Sequence, residues 1–203
     1  GGVSGCTTAT TGTPGWCTGG FATSSTGNNQ FNGPRGLAVY GSWLYIADTG
    51  NNRIVRVDSA TGAFGGWTGT VSTVPTGGTS GCTSKAVGAA TAGWCTGGTA
   101  KSGTGDGMLS GPRGLTTDGT YLYVADYSNF RVSRLFLATG VFDGWIGLIS
   151  TAATGGATGC STAAVSSVTP GWCLGGTAKT GGTTPGQFKA PTAVMYYGSA
   201  LYT

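Results

Sequence analysis

The chain has 203 residues, 42 of them glycine, with 38% hydrophobic and only 8% charged. The apolar content suits packed sheets and argues against disorder over at least half the chain; glycine does not fall at every third position, which excludes collagen. A net charge of +4 is too thin for a nucleic-acid surface, and the lack of histidine rules out a Ser-His-Asp arrangement within this segment.

The chain opens with Gly1-Gly2-Val3-Ser4-Gly5-Cys6, then Gly12-Thr13-Pro14-Gly15-Trp16-Cys17-Thr18-Gly19-Gly20. Strands are predicted over 36–40, 43–47, 53–57 and 63–67 from their β-branched and aromatic residues. A second glycine- and threonine-rich segment with Cys82 and Cys95 follows, containing Ala90-Thr91-Ala92-Gly93-Trp94-Cys95-Thr96-Gly97-Gly98. A second set of strands is predicted around the turn signals Asp118-Gly119, Asp126–Asn129 and Ala138-Thr139-Gly140. The pattern comes round again with Cys160, Trp172 and Cys173. No stretch has sustained helical periodicity, and no run is long and apolar enough to span a membrane.

These segments repeat. Trp16, Trp94 and Trp172 stand 78 residues apart, as do Asp48 and Asp126, and Trp67 and Trp145. One offset shared by unrelated residue types marks tandem structural units. Both ends match the interior of a repeat, so the polypeptide is expected to continue in both directions. Each unit has two cysteines, so the repeat selects the pairing Cys6–Cys17, Cys82–Cys95 and Cys160–Cys173 among those possible. Zinc would need closer-spaced ligands. Stable disulfides imply an oxidising compartment: the medium, the cell surface or the periplasm.

Pro34-Arg35-Gly36-Leu37, Leu44-Tyr45-Ile46-Ala47-Asp48 and Asn51-Asn52-Arg53-Ile54 resemble the NHL repeat. So do Pro112-Arg113-Gly114-Leu115, Leu122-Tyr123-Val124-Ala125-Asp126 and Asn129-Phe130-Arg131-Val132. Gly27-Asn28-Asn29-Gln30-Phe31, Gly105-Asp106-Gly107-Met108-Leu109 and Pro185-Gly186-Gln187-Phe188 resemble the family's lead-in, whereas Pro191-Thr192-Ala193-Val194 departs from the pattern. The resemblance implies an all-β fold, a β-propeller of four-stranded blades, in a family whose members bind proteins, RNA or carbohydrate and include a few lyases. The expected divisions are 1–30 (end of a preceding cysteine loop and lead-in), 31–69 (blade), 70–108 (cysteine insertion and lead-in), 109–147 (blade), 148–187 (insertion and lead-in) and 188–203 (start of a truncated third blade). The insertions are expected as stapled loops displayed on one face. Glycine- and threonine-rich composition with one cystine per unit is similar to long repeat proteins of the bacterial surface.

Asp48, Asn51 and Arg53, and likewise Asp126, Asn129 and Arg131, offer calcium ligands or an anion site. Their recurrence favours a structural turn instead. Arg35 and Arg113 are candidates for a basic ring at one mouth of the propeller. Trp16, Trp94 and Trp172 suit ligand contact if exposed, or cover the adjacent disulfide if packed. Trp67 and Trp145 are expected in a core between blades. No metal, cofactor or catalytic residue is predicted. The expected function is a non-catalytic secreted or cell-surface scaffold, an adhesin or extracellular fibre component, that contacts protein partners or self-associates through blade edges. The alternatives are a carbohydrate-binding propeller and a lyase whose site lies elsewhere.

Overall fold

The computed structural model describes residues 2, 4–6, 12–182 and 184–203; Gly1 and Val3 of the opening motif lie outside them. The fold is all-β, with three open antiparallel sheets. The first contains β1 (Leu37–Tyr40), β2 (Trp43–Asp48), β3 (Arg53–Asp58), β4 (Phe64–Thr73), β5 (Gly77–Gly78), β6 (Cys95–Thr96) and β7 (Thr99–Lys101). The second repeats it with β8 (Pro112–Thr117), β9 (Tyr121–Asp126), β10 (Arg131–Phe136), β11 (Phe142–Thr151), β12 (Gly155–Gly156), β13 (Cys173–Leu174) and β14 (Thr177–Lys179). The third is the hairpin of β15 (Met195–Tyr197) and β16 (Ala200–Tyr202).

The four-stranded meanders expected from the sequence are present as β1–β4 and β8–β11, and both carry the same irregularity. Arg56 pairs with Gly66 but Val57 with Phe64, leaving Gly65 as a bulge. Arg134 pairs with Gly144 but Leu135 with Phe142, leaving Asp143 in the same place. A bulge sharpens local twist and bends the strand.

The cysteine segments differ from the expected face loops. Each returns along the free edge of the meander's last strand, and the strand that follows it (β7 or β14) pairs on that strand's other side, so the sheets have seven strands rather than four. Trp67 of β4 pairs with Val55 on one side and Cys95 on the other. Thr70 is bridged to Lys101 on one side and Ala90 on the other. An edge strand would otherwise expose a row of unpaired amides; this segment covers it. All three predicted disulfides are formed, and the sulfurs of the second and third are buried. Three cystines fit an oxidising, extracellular-type environment. No helix among the described residues is long and apolar enough to cross a membrane.

Alternation along the strands sends successive side chains to opposite faces. Tyr45, Ala47 and Ile54 face the second sheet and pack with its Leu115, Leu122, Val124 and Leu135. The equivalent face of the second sheet, through Tyr123, Ala125 and Val132, packs on Val194, Tyr196 and Leu201 of the third unit. Each unit therefore covers its successor with the same side chains. Trp67 and Trp145, expected between blades, are instead fully buried within their own units against Cys82–Cys95 and Cys160–Cys173. Each indole N–H donates to a carbonyl just beyond its unit's second cysteine, Gly97 or Gly175.

Candidate functional site

The repeated polar motif forms a buried clamp. β2 ends at Asp48, a single 3-10 turn spans Thr49–Asn51, and Asn52 takes a left-handed conformation before Arg53 opens β3. The Asp48 carboxylate accepts the Asn32 N–H at 2.7 Å, Asn51 Nδ2 at 2.9 Å and Arg53 Nε at 2.9 Å. The Arg53 guanidinium then donates to the carbonyls of Thr26, Gly27 and Gln30 in the lead-in at 2.7–2.8 Å. In the second unit Asp126 accepts from Ser110, Asn129 and Arg131, and Arg131 donates to Thr104, Gly105 and Met108. All four charged side chains are fully buried. Burial draws the Arg53 guanidinium below its usual range, opposed by Asp48. Burial likewise pushes the Asp126 carboxyl up, opposed by Arg131 and the amide donors. The donors and carboxylate oxygens face one another and the lead-in backbone, an arrangement suited to fixing a loop.

The tryptophans beside the cysteines connect consecutive units. Trp94 is 2% exposed. Its backbone N–H donates to the Thr139 carbonyl at 3.0 Å and its indole N–H to the Leu137 carbonyl at 3.2 Å. Both carbonyls belong to the turn joining β10 to β11 in the next unit. Trp16 does the same to the turn after β3, through Thr61 at 2.9 Å and Ser59 at 3.2 Å. Each receiving turn reads Ala-Thr-Gly, and its glycine has positive φ (Gly62 +72°, Gly140 +72°). A Cβ there would lie within 2.9 Å of the docked tryptophan, so glycine meets both the backbone and the packing demand.

Behind Trp94 and Trp172 lies an arginine. Arg56 sits between the rings of Trp43 and Trp94, 4.4 and 4.8 Å from their centroids, and also donates to the Ala138 carbonyl. Arg134 sits between Tyr121 and Trp172 at 4.2 and 4.4 Å and pairs with Asp143. Sequence reasoning marked Ala138-Thr139-Gly140 as a turn but did not single out Arg56, Arg134 or Gly62, although Arg56 and Arg134, like Gly62 and Gly140, have the 78-residue offset that marked the aspartates.

The predicted site residues fall into separate places. Trp94 has no open face for a ligand, which corrects the reading of it as a contact residue. Trp16 is 48% exposed and Trp172 is part-buried. Residues 35–37, 113–115 and 192–194 converge on a cavity of about 420 Å³. Arg113 lies over the Tyr127 ring at 3.3 Å, and Thr192 stands at the position where the first two units have arginine. Gly36 and Gly114 allow the close approach of these segments: a Cβ on Gly36 would collide with the Arg113 carbonyl, and one on Gly114 would lie 2.6 Å from Ala193 Cα.

The remaining aspartates also have backbone, hydroxyl or arginine partners. Asp58 holds Ala60 and Thr61, Asp106 accepts the Gly175 N–H, and Asp118 accepts from Thr120, Tyr121 and the Tyr123 hydroxyl. Among the described residues no three metal-ligating side chains come together. The chain matches no protein-family model, and a search of curated proteins returns no match either.

Proposed function

We propose that the chain is a non-catalytic repeat scaffold of a secreted or cell-surface protein, with its units arranged as NHL-type β-propeller blades. The scaffold makes protein or cell-surface contacts as an adhesin or extracellular fibre component. The observation that carries this reading is the commitment of each repeated motif to construction. The Asp-Asn-Arg clamp fixes the lead-in, and the tryptophan beside the cysteine docks on the next unit. The surface left over is rich in threonine, serine and glycine, and contact surface is commonly carried by repeated elements on one side of such arrays.

The test is immunolabelling of intact, unpermeabilised cells of the source organism with antibody raised against residues 1–203, with the same antibody applied to block attachment. Surface label and reduced attachment are expected. Label found solely after permeabilisation would overturn the reading. A glycan array probed with the chain and with Trp172→Ala addresses the carbohydrate reading, which requires a signal that the substitution removes.

A further inference from the structure

The chain has six arginines and six acidic residues, all of the latter aspartate. Four arginines are committed to construction. Arg53 and Arg131 hold the lead-ins, Arg56 donates to the Gly65 and Ala138 carbonyls, and Arg134 pairs with Asp143. Arg35 and Arg113 are equivalent positions of consecutive units, and among the described residues neither guanidinium pairs with a carboxylate. Every aspartate is occupied elsewhere: Asp48, Asp126 and Asp143 by the other arginines, Asp58, Asp106 and Asp118 by backbone amides. The two unpaired arginines line one cavity of about 420 Å³, and no acidic residue lines it with them.

Arg113 has a neighbouring unit on each side, with Gly36 against its own carbonyl and Ala193 against Gly114. Its Nε is buried without an acceptor. Its guanidinium rests on the Tyr127 ring, a contact that fixes the side chain without consuming N–H donors. Two uncompensated cations on one concave surface concentrate anions there. The remaining wall is largely apolar, from Leu37, Leu115 and Val194, with the Thr192 hydroxyl at its rim. The volume lies within the range of small-molecule sites. We infer that this cavity binds an organic carboxylate. The guanidinium forks of Arg113 and Arg35 take the carboxylate, whose planar geometry they match, and a short hydrocarbon body lies against the leucines and the valine. The apolar wall favours such an acid over inorganic phosphate or sulfate, which have nothing to bury.

The test is titration of the full chain with hexanoate, followed by amide NMR shifts. Saturable shifts are expected at residues 35–37, 113–115 and 192–194. Hexanoate should bind more tightly than acetate, the uncharged hexanamide should leave these amides unmoved, and added salt should weaken the effect. Arg113→Gln should weaken binding at least about tenfold. Arg35→Gln should weaken it too, and because Arg35 is exposed that variant keeps the test intact if Arg113→Gln fails to fold. Thr192→Arg, which copies the residue of the first two units, should tighten binding. Absence of saturation by about 10 mM hexanoate would overturn the inference, as would equal shifts with hexanamide or binding indifferent to both arginine changes. Phosphate or sulfate binding as tightly as hexanoate would overturn the assignment to a carboxylate. Any of these failures is distinct from loss of the surface-scaffold reading, which is tested on cells.

Discussion

Arg131 has four polar contacts and no solvent. Removing it strands the Asp126 carboxylate and uncovers three lead-in carbonyls. Breaking one side of a buried pair costs about 3–5 kcal/mol, so Arg131→Met should lower unfolding free energy by about that amount in urea titrations. Combining it with Asp126→Leu should cost less than the sum of the two single changes, because the partners share one network. A second residue-scale consequence concerns pH. Burial tends to raise the Asp118 carboxyl, but the Tyr121 amide, the Tyr123 hydroxyl and the Thr120 amide outweigh it, so its pKa is lowered. Its contribution is present above its unfolded value and is lost as pH falls through the folded one, in the acid range below about pH 4. The Tyr123 hydroxyl is raised by burial and by its bond to Asp118. Its contribution is full below about pH 10 and is lost as pH rises beyond that. Tyr123→Phe should therefore shallow both limbs of a stability-versus-pH curve; an unchanged acid limb would separate Asp118 from Tyr123.

Among the elements, the cysteine segment was the least legible in sequence. Its pairing was readable because each unit brings two cysteines, but its path was not. β5 and β6 are two residues each, too short for a period-2 pattern, and β5 is Gly77-Gly78, which has no side chain to signal a face. The meander strands were legible because they alternate and are rich in β-branched residues; their predicted spans lie close to β1–β3, whereas β4 runs on to Thr73, well past the predicted end at Trp67. The clamp was readable as a turn from Asp48, Asn51 and Arg53 in one short stretch. That Arg53 reaches back to residues 26–30 was not, since those carbonyls leave no mark in the sequence. The orientation of Trp94 was equally silent: beside a cysteine, an indole covers the disulfide or a neighbour, and here the turn at 137–140 receives it. Cys82 and Cys95 are separated by 13 residues, and cross-linking a loop of that size is worth about 3 kcal/mol. Replacing both by serine should lower the melting temperature, and the intact protein should resist reductant until it unfolds, because both sulfurs are buried.

For the whole molecule, stability is divided between units and the interfaces that join them, as in other arrays of stacked repeats. Trp94 lies on the interface between the first two. Truncating a buried tryptophan costs about 3–5 kcal/mol. Much of that cost should fall on coupling, so Trp94→Ala should split a single calorimetric transition into two. A single transition merely shifted in temperature would place the lost energy inside one unit. Gly140→Val should produce the same split from the opposite side of the contact.

The Asn28 side chain accepts the Gly97 N–H, and Asp106 accepts that of Gly175, so the start and finish of each unit touch across 69 residues of chain. Pulled from its ends, such a unit yields almost no length while that latch and the sheet behind it hold. Once the sheet unravels it releases slack of roughly 190 Å at about 3.4 Å per residue, with the stretch between the cysteines withheld while its sulfurs remain joined. A string of these units would lengthen under load in discrete increments whose size depends on the redox state of the surroundings.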